Sequence, residues 1–286
     1  MSKHLVFIAL FACVPILGCS DGNNRQSTPP TQTPPPVTPP PVTPPPVTPP
    51  PTPVPPVDVS GEWFSRTVNN AVNCGLGEFI DAQALVITQD ESDISLLAST
   101  GDTFAGTVNG DIVEWTGSFD ERGGTTTLTS LSITVSGDSA SGNADWTWTD
   151  GTDSCNGTMA ITASRDWAVE ESQNNSNPGI ADVLELTDGV AFATGTAVTV
   201  RDKDYFAFVV AADATVQVEL SHFDLGVSNF DLELLDEDLN RVALSDSADG
   251  FEKAEAQFLA GDIFYIVVLP ISGPDGASFI LSIDAN

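Results

Sequence analysis

The chain reads as all-β, with a small up-and-down β-barrel or meander followed by a β-sandwich, and three observations predict this. Across 57–165, short alternating runs are separated by glycine-bearing turns. In the last third, aromatic and β-branched residues crowd into short runs, as in strands buried between two sheets. No segment sustains a helical period. A leader and a proline-rich stretch precede the folded part, which is the right length for two small domains.

Taken in order, residues 1–18 open with Lys3 and His4, continue through an apolar run too short to span a bilayer, and close on Ile16-Leu17-Gly18-Cys19. This arrangement resembles a bacterial lipoprotein signal peptide. The resemblance implies cleavage at Gly18-Cys19, lipidation of Cys19 and, with Ser20 as the second mature residue, delivery to the outer membrane. Several acyl chains make such an anchor effectively permanent, where one is marginal. The lipid-anchored protein would be surface-exposed or face the periplasm. Cys13 leaves with the leader, so one cysteine pair remains, Cys74 and Cys155, expected as a disulfide in an oxidising compartment.

Residues 19–56 carry the repeat Pro-Pro-Pro-Val-Thr. Proline fixes φ and removes the backbone donor, so the stretch is expected as an extended polyproline II spacer of roughly 85 Å. It would lift the folded part away from the membrane.

Within 57–165 eight strands are expected at 59–68, 83–89, 93–98, 103–108, 112–118, 125–135, 140–149 and 157–164. Asn109-Gly110 between two alternating runs is the strongest hairpin signal, and Gly123-Gly124, Gly137-Asp138 and Asp150-Gly151 separate the later runs. Hairpins in sequence order suggest closure into a barrel. Gly61-Glu62-Trp63 ahead of this meander resembles the opening of a lipocalin. That resemblance implies a cavity for a small apolar ligand, with Trp63 at the closed end and Trp115 and one of Trp146 and Trp148 on its wall. Against it stands ordinary packing, because eight strands often enclose only side chains. Residues 166–177 are polar and read as a linker or the lead-in to the next domain.

Three motifs occur in order from 178 to 286: Asp202-Lys203-Asp204-Tyr205-Phe206-Ala207-Phe208, then Phe230-Asp231-Leu232-Glu233-Leu234, then Ala260-Gly261-Asp262-Ile263-Phe264-Tyr265, with Glu252 ahead of the last. Together they resemble the bacterial pre-peptidase C-terminal (PPC) domain over about residues 175–285. The resemblance implies a jelly-roll β-sandwich and a non-catalytic accessory module, found beside secreted peptidases, that assists localisation or binds insoluble polymers such as collagen or polysaccharide. It also implies a candidate calcium site. Asp202 and Asp204 match acidic loop positions and Asn175 matches a lead-in ligand, while Gln173 and Arg201 stand where acids are usual. Calcium takes six to eight oxygens, so both departures lower the charge of the site. The alternative is that Asp202 and Asp204 are turn formers and surface charge.

The formal net charge of −31, from 40 acidic and 9 basic residues, argues against nucleic-acid partners. After the leader only His222 remains among the histidines, and no serine stands in a nucleophile-elbow context, so no catalytic residues are assigned. The expectation is a non-catalytic surface lipoprotein that binds an extracellular polysaccharide, protein or partner. The alternatives are a carrier of small apolar ligands, or an accessory to a separate secreted peptidase. A hydrolase of unrecognised kind ranks last.

Overall fold

The computed structural model describes residues 54–286 except 122, 198, 200–201, 222–227 and 248–250. The signal segment, Cys19, nearly all of the proline-rich stretch, Arg201 and His222 lie outside the described residues.

The first domain contains β1 (Gly61–Asn70), β2 (Glu78–Asp90), β3 (Asp93–Ala98), β4 (Thr103–Asn109), β5 (Ile112–Glu121), β6 (Gly124–Ser136), β7 (Ser139–Thr149) and β8 (Ser154–Ser164). Each strand pairs antiparallel with the next, and β1 pairs with β8, from Phe64 opposite Ser164 to Asn70 opposite Thr158. The ladder is therefore a closed up-and-down barrel without an edge. Strand β2 begins five residues earlier than its alternation suggested, because Glu78 to Ala82 complete the register with β1. The β4–β5 loop is the two-residue Gly110-Asp111, with Asn109 opposite Ile112, and Gly110 at φ 63° supplies the left-handed conformation this turn needs. A disulfide joins Cys74 to Cys155.

The barrel interior is filled by side chains, including Trp63, Leu85, Ile94, Leu96, Val108, Val113, Ile133, Trp146 and Ile161. Its exterior alternates Ser, Thr, Asn and acids, as the period of two requires.

The second domain contains β9 (Ala168–Glu170), β10 (Asp182–Val183), β11 (Val190–Ala197), β12 (Asp204–Val209), β13 (Ala214–Ser221), β14 (Asn229–Leu235), β15 (Arg241–Ser245), β16 (Glu252–Phe258), β17 (Ile263–Ser272) and β18 (Ala277–Ala285). Strands β11 and β18, β12 and β17, β13 and β16, and β14 and β15 pair antiparallel as a nested set. Nesting wraps the chain into a jelly roll of two sheets, ordered β16-β13-β18-β11-β9 and β10-β12-β17-β14-β15. Between them lies a core rich in phenylalanine: Phe206, Phe208, Phe230, Phe258, Phe264 and Phe279.

The stretch 166–177 is not a free linker. Ala168–Glu170 adds an edge strand parallel to β11, and Asn175 accepts a backbone hydrogen bond from Tyr205. Parallel pairing leaves no hairpin turn in the sequence, which is why polar composition alone suggested a spacer. The barrel seats on the outer face of β11 and β18 through Phe64, Ala82 and Ala84 against Val190, Phe192 and Ile280. The Phe64 and Phe192 rings lie 5.3 Å apart.

Candidate functional site

The start of β12 and the segment leading from β9 to β10 bring four carboxyl groups together at one end of the sandwich. Glu171 follows β9, and its backbone N–H donates to the Thr194 carbonyl, which fixes the side chain beside β11. Its Oε1 accepts from Thr196 N at 2.7 Å and Gln173 Nε2 at 3.0 Å, while Oε2 is buried without a hydrogen-bond partner. Gly195 makes room for this carboxylate, since a Cβ there would stand 2.5 Å from Oε2. Asp182 on β10 accepts from Ser172 N at 2.8 Å and Asn175 Nδ2 at 3.0 Å.

Asp204 is the first residue of β12 and 3% exposed, and its Oδ2 is also buried without a partner. Burial first, and then the charges of Glu171, Asp202 and Asp182, push its carboxyl up to about 8. Glu171 is likewise held above the usual carboxylate range, by burial first and then by Asp202 and Asp182, against the hydrogen bonds from Thr196 and Gln173. Two adjacent carboxyls with orphaned oxygens can share a proton or take a cation.

The sequence-predicted ligands Asn175, Asp202 and Asp204 are brought to this end together, and Glu171 and Asp182 join them. These two escaped sequence reasoning because strand pairing, not spacing, carries them in. Gln173, at a position expected to be acidic, instead donates to Glu171. Among the described residues no group of three or more His, Cys, Asp or Glu converges as a ready-made metal cage. The donors fit calcium in kind: hard oxygens, two of them buried and unpaired.

The predicted barrel residues separate. Trp63 is 3% exposed, its Nε1 donates to the Val59 carbonyl at 2.9 Å, and the Arg165 guanidinium lies 4.6 Å above its ring. It plugs the barrel end where Arg165 also donates to the Ser60 carbonyl at 2.7 Å. Trp115, the fourth residue of β5, is half-buried where the β5–β6 register shifts between Glu114 and Gly117. The aromatics there rest on glycines: a Cβ on Gly117 would strike Phe104, one on Gly124 would strike Trp148, and one on Gly157 would strike Trp146. The rings thus lie against the barrel wall.

A second surface is set by the two sheets' unequal cover. On the outer face of β10-β12-β17-β14-β15, Tyr205 lies opposite Val267 and Tyr265 opposite Ala207, so the only two tyrosines of the chain are diagonal neighbours. Val209 and Ile263 extend the patch in the open, while Glu233, paired with Arg241 at 2.9 Å, stands between Val267 and the exposed Leu244. No described element covers this face, whereas the barrel covers part of the other sheet.

No protein-family profile matches the chain, and no curated protein matches it. Among solved structures it is similar to the pre-peptidase C-terminal domain of a collagenase from Bacillus anthracis, with a TM-score of 0.32 and 19% identity. The match covers 38% of this chain and all of that one. The jelly-roll assignment rests on the strand pairing of the chain itself.

Proposed function

We propose that the protein is a non-catalytic, lipid-anchored binding protein of the bacterial outer membrane, holding an extracellular polymer on the open sandwich face. The observation that carries this reading is the diagonal pair Tyr205 and Tyr265 on a largely apolar sheet face that nothing in the described chain covers. Two half-exposed aromatic rings with Val209 and Ile263 open beside them, rimmed by Glu233 and Arg241, make the kind of apolar patch that marks a contact surface. Tyrosine suits the task because its ring packs flat while its hydroxyl stays hydrogen-bonded to water or ligand. The Tyr205 hydroxyl is held above its ordinary range by burial and then by the Glu233 charge, so it remains a donor. The acidic surroundings disfavour polyanions and leave neutral or basic polymers.

In this reading Cys19 carries the anchor, the proline-rich segment spaces the domains from the membrane, and many copies on one surface add avidity to a weak single contact. Calcium, where bound, would engage Glu171 and Asp204 first, with Asp182, Asp202 and Asn175 beside them. It would lock the β9-to-β12 end of the sandwich by neutralising the buried carboxylates.

The test is retention of the full chain on insoluble polysaccharides and on collagen, with wild type compared against the Tyr205→Ala and Tyr265→Ala double variant. Retention by one polymer that the variant loses, with unchanged thermal unfolding, supports the reading. Wild type recovered on none of them, or a variant retained as well as wild type, overturns it.

A further inference from the structure

The junction between barrel and sandwich carries a polar strip beside its apolar patch. On the outer face of β13, β16 and β18, Asp284 lies opposite Gln217 and Gln217 opposite Glu255. In the adjacent row Ser282 lies opposite Glu219 and Glu219 opposite Lys253. Asp284 is 3% exposed and Glu219 5%, with the barrel strand β2 packed against β18.

Hydrogen bonds stitch the domains here. Asn286 accepts from the Ile80 N–H at 2.6 Å and donates to the Ile80 carbonyl at 2.8 Å, imitating an extra strand with its amide side chain. The same amide donates to Asp284 Oδ1 at 2.7 Å, and the Ala82 N–H of β2 also reaches the Asp284 carboxyl. Gln217 Nε2 bridges Asp284 Oδ2 at 3.2 Å and Glu219 Oε1 at 3.3 Å. From the β3–β4 turn, Ser99 Oγ donates to Glu219 Oε2 at 3.2 Å. Lys253 Nζ donates to Glu219 Oε1 at 3.1 Å.

The charges around Asp284 are unbalanced. The barrel contributes Asp81, with Arg66 turned away to the Asp188 carbonyl at 2.7 Å. The sandwich contributes Glu219 against Lys253, with Glu255 one strand away across Gln217. Burial first, then Asp81 and Glu219, push the Asp284 carboxyl up to about 8, against the opposing pull of Lys253 and the Ala82 N–H. The N–H donors of Asn286, Gln217 and Ala82 favour the charged form, but burial and the neighbouring acids outweigh them and hold the carboxyl toward its neutral form.

We propose that the Asp284 cluster is a pH-operated latch between the two domains: a protonated Asp284 lets β2 seat on the sandwich sheet, and loss of that proton loosens the junction while each domain stays folded. The folded value lies above that of the unfolded chain, so the stabilisation is complete below the ordinary carboxylate range and is withdrawn as pH climbs through about 8. The apolar patch of Phe64, Phe192 and Ile280 remains on both sides of the transition, so the latch modulates the contact without creating it.

Hydrogen exchange on the full chain tests this, comparing amides of 80–84 and 280–284 with those of the core strand β17 at about pH 6 and about pH 9.5, after correction for base-catalysed exchange. Wild type is expected to lose protection at the junction and keep it in β17. Asp284→Asn should hold protection at both pH values. Asp204→Asn, which removes the other acid raised into this range, should behave as wild type at the junction. Asp81→Asn should move the transition to lower pH and Lys253→Met to higher pH, since the two groups push Asp284 in opposite directions. Wild-type protection that does not change with pH, or an Asp284→Asn variant that loosens as wild type does, overturns the latch. Should Asp284→Asn fail to fold, shifts of Asp81→Asn and Lys253→Met that coincide in direction, or are absent, overturn it.

Discussion

The barrel and the sandwich solve the burial of polar groups differently. Among the described residues every buried carboxylate belongs to the sandwich side: Glu171, Asp204, Glu219, Glu252 and Asp284. Among the described residues the barrel buries, as side-chain polar groups, only hydroxyls, the Asn69 amide and the indole N–H groups of Trp63 and Trp146. The cause is topological. Each barrel strand pairs with its sequence neighbours, so alternation alone sorts residues inward or outward and charge stays outside. Nested and parallel pairing in the sandwich brings together residues far apart in sequence, such as Glu219 with Asp284 or Glu171 with Asp204, and buries them there. Glu252 is the settled example, since its carboxylate accepts from Ser245 Oγ, Ser247 N and Ser247 Oγ. The buried carboxyls are thus concentrated in the sandwich half.

The sharpest way to separate the halves is to remove a ring from the sandwich core. Phe279 meets Phe206 at 6.3 Å and Phe230 at 5.7 Å, and its ring occupies the space that a Cβ on Gly195 would need. Phe279→Ala should cost about 3–5 kcal/mol, because the facing sheets relax only partly into the cavity. Calorimetry should locate that loss in the sandwich. An equal loss in a barrel-specific transition would mean the two domains unfold as one unit.

The complementary cut is Cys74→Ser with Cys155→Ser. The bridge spans 81 residues of sequence, within the barrel. Opening so long a loop should destabilise the barrel by about 2–5 kcal/mol, chiefly by freeing the unfolded chain. Urea unfolding followed by tryptophan emission, with four of the five tryptophans in the barrel, would detect the change. A midpoint that does not move would mean that barrel closure by β1 and β8 already supplies the constraint.

The same contrast decides how much of the molecule can be read from sequence. The barrel was legible because a hairpin writes its pairing locally: Asn109-Gly110 and Gly137-Asp138 mark ladders that form beside them. The sandwich core was legible from its aromatic runs at 205–210 and 264–269, where alternation assigns Phe206, Phe208, Phe264 and Ile266 inward. The parallel pairs of β9 with β11 and β10 with β12 were not, because nothing adjacent in sequence signals them. Glu171 and Asp182 were missed for that reason. The junction left one trace, since β2 is apolar on both faces, with Ala82 and Ala84 alternating against Leu85 and Ile87. A strand of that kind needs two partners, and the second is the sandwich.

The smallest expected effect is the most specific. Asp204 has a folded value pushed up to about 8, above its unfolded value, so its contribution to stability is present at low pH and withdrawn as pH rises through about 8. Without divalent cations, wild type should therefore lose several degrees of Tm between about pH 6 and about pH 9.5, with Asp284 adding to the loss. Asp204→Asn has no proton to lose there, so its Tm should fall less. Calcium should reverse the sign for wild type, because ionised Glu171 and Asp204 become ligands at the pH where they would otherwise repel, and stabilisation follows from binding to the folded state alone. Asp204→Asn should lose that gain while keeping its flatter profile in chelator. A wild-type profile flat in chelator would instead place Asp204 among the settled acids such as Glu252, and the contrast between the two halves would then rest on the junction.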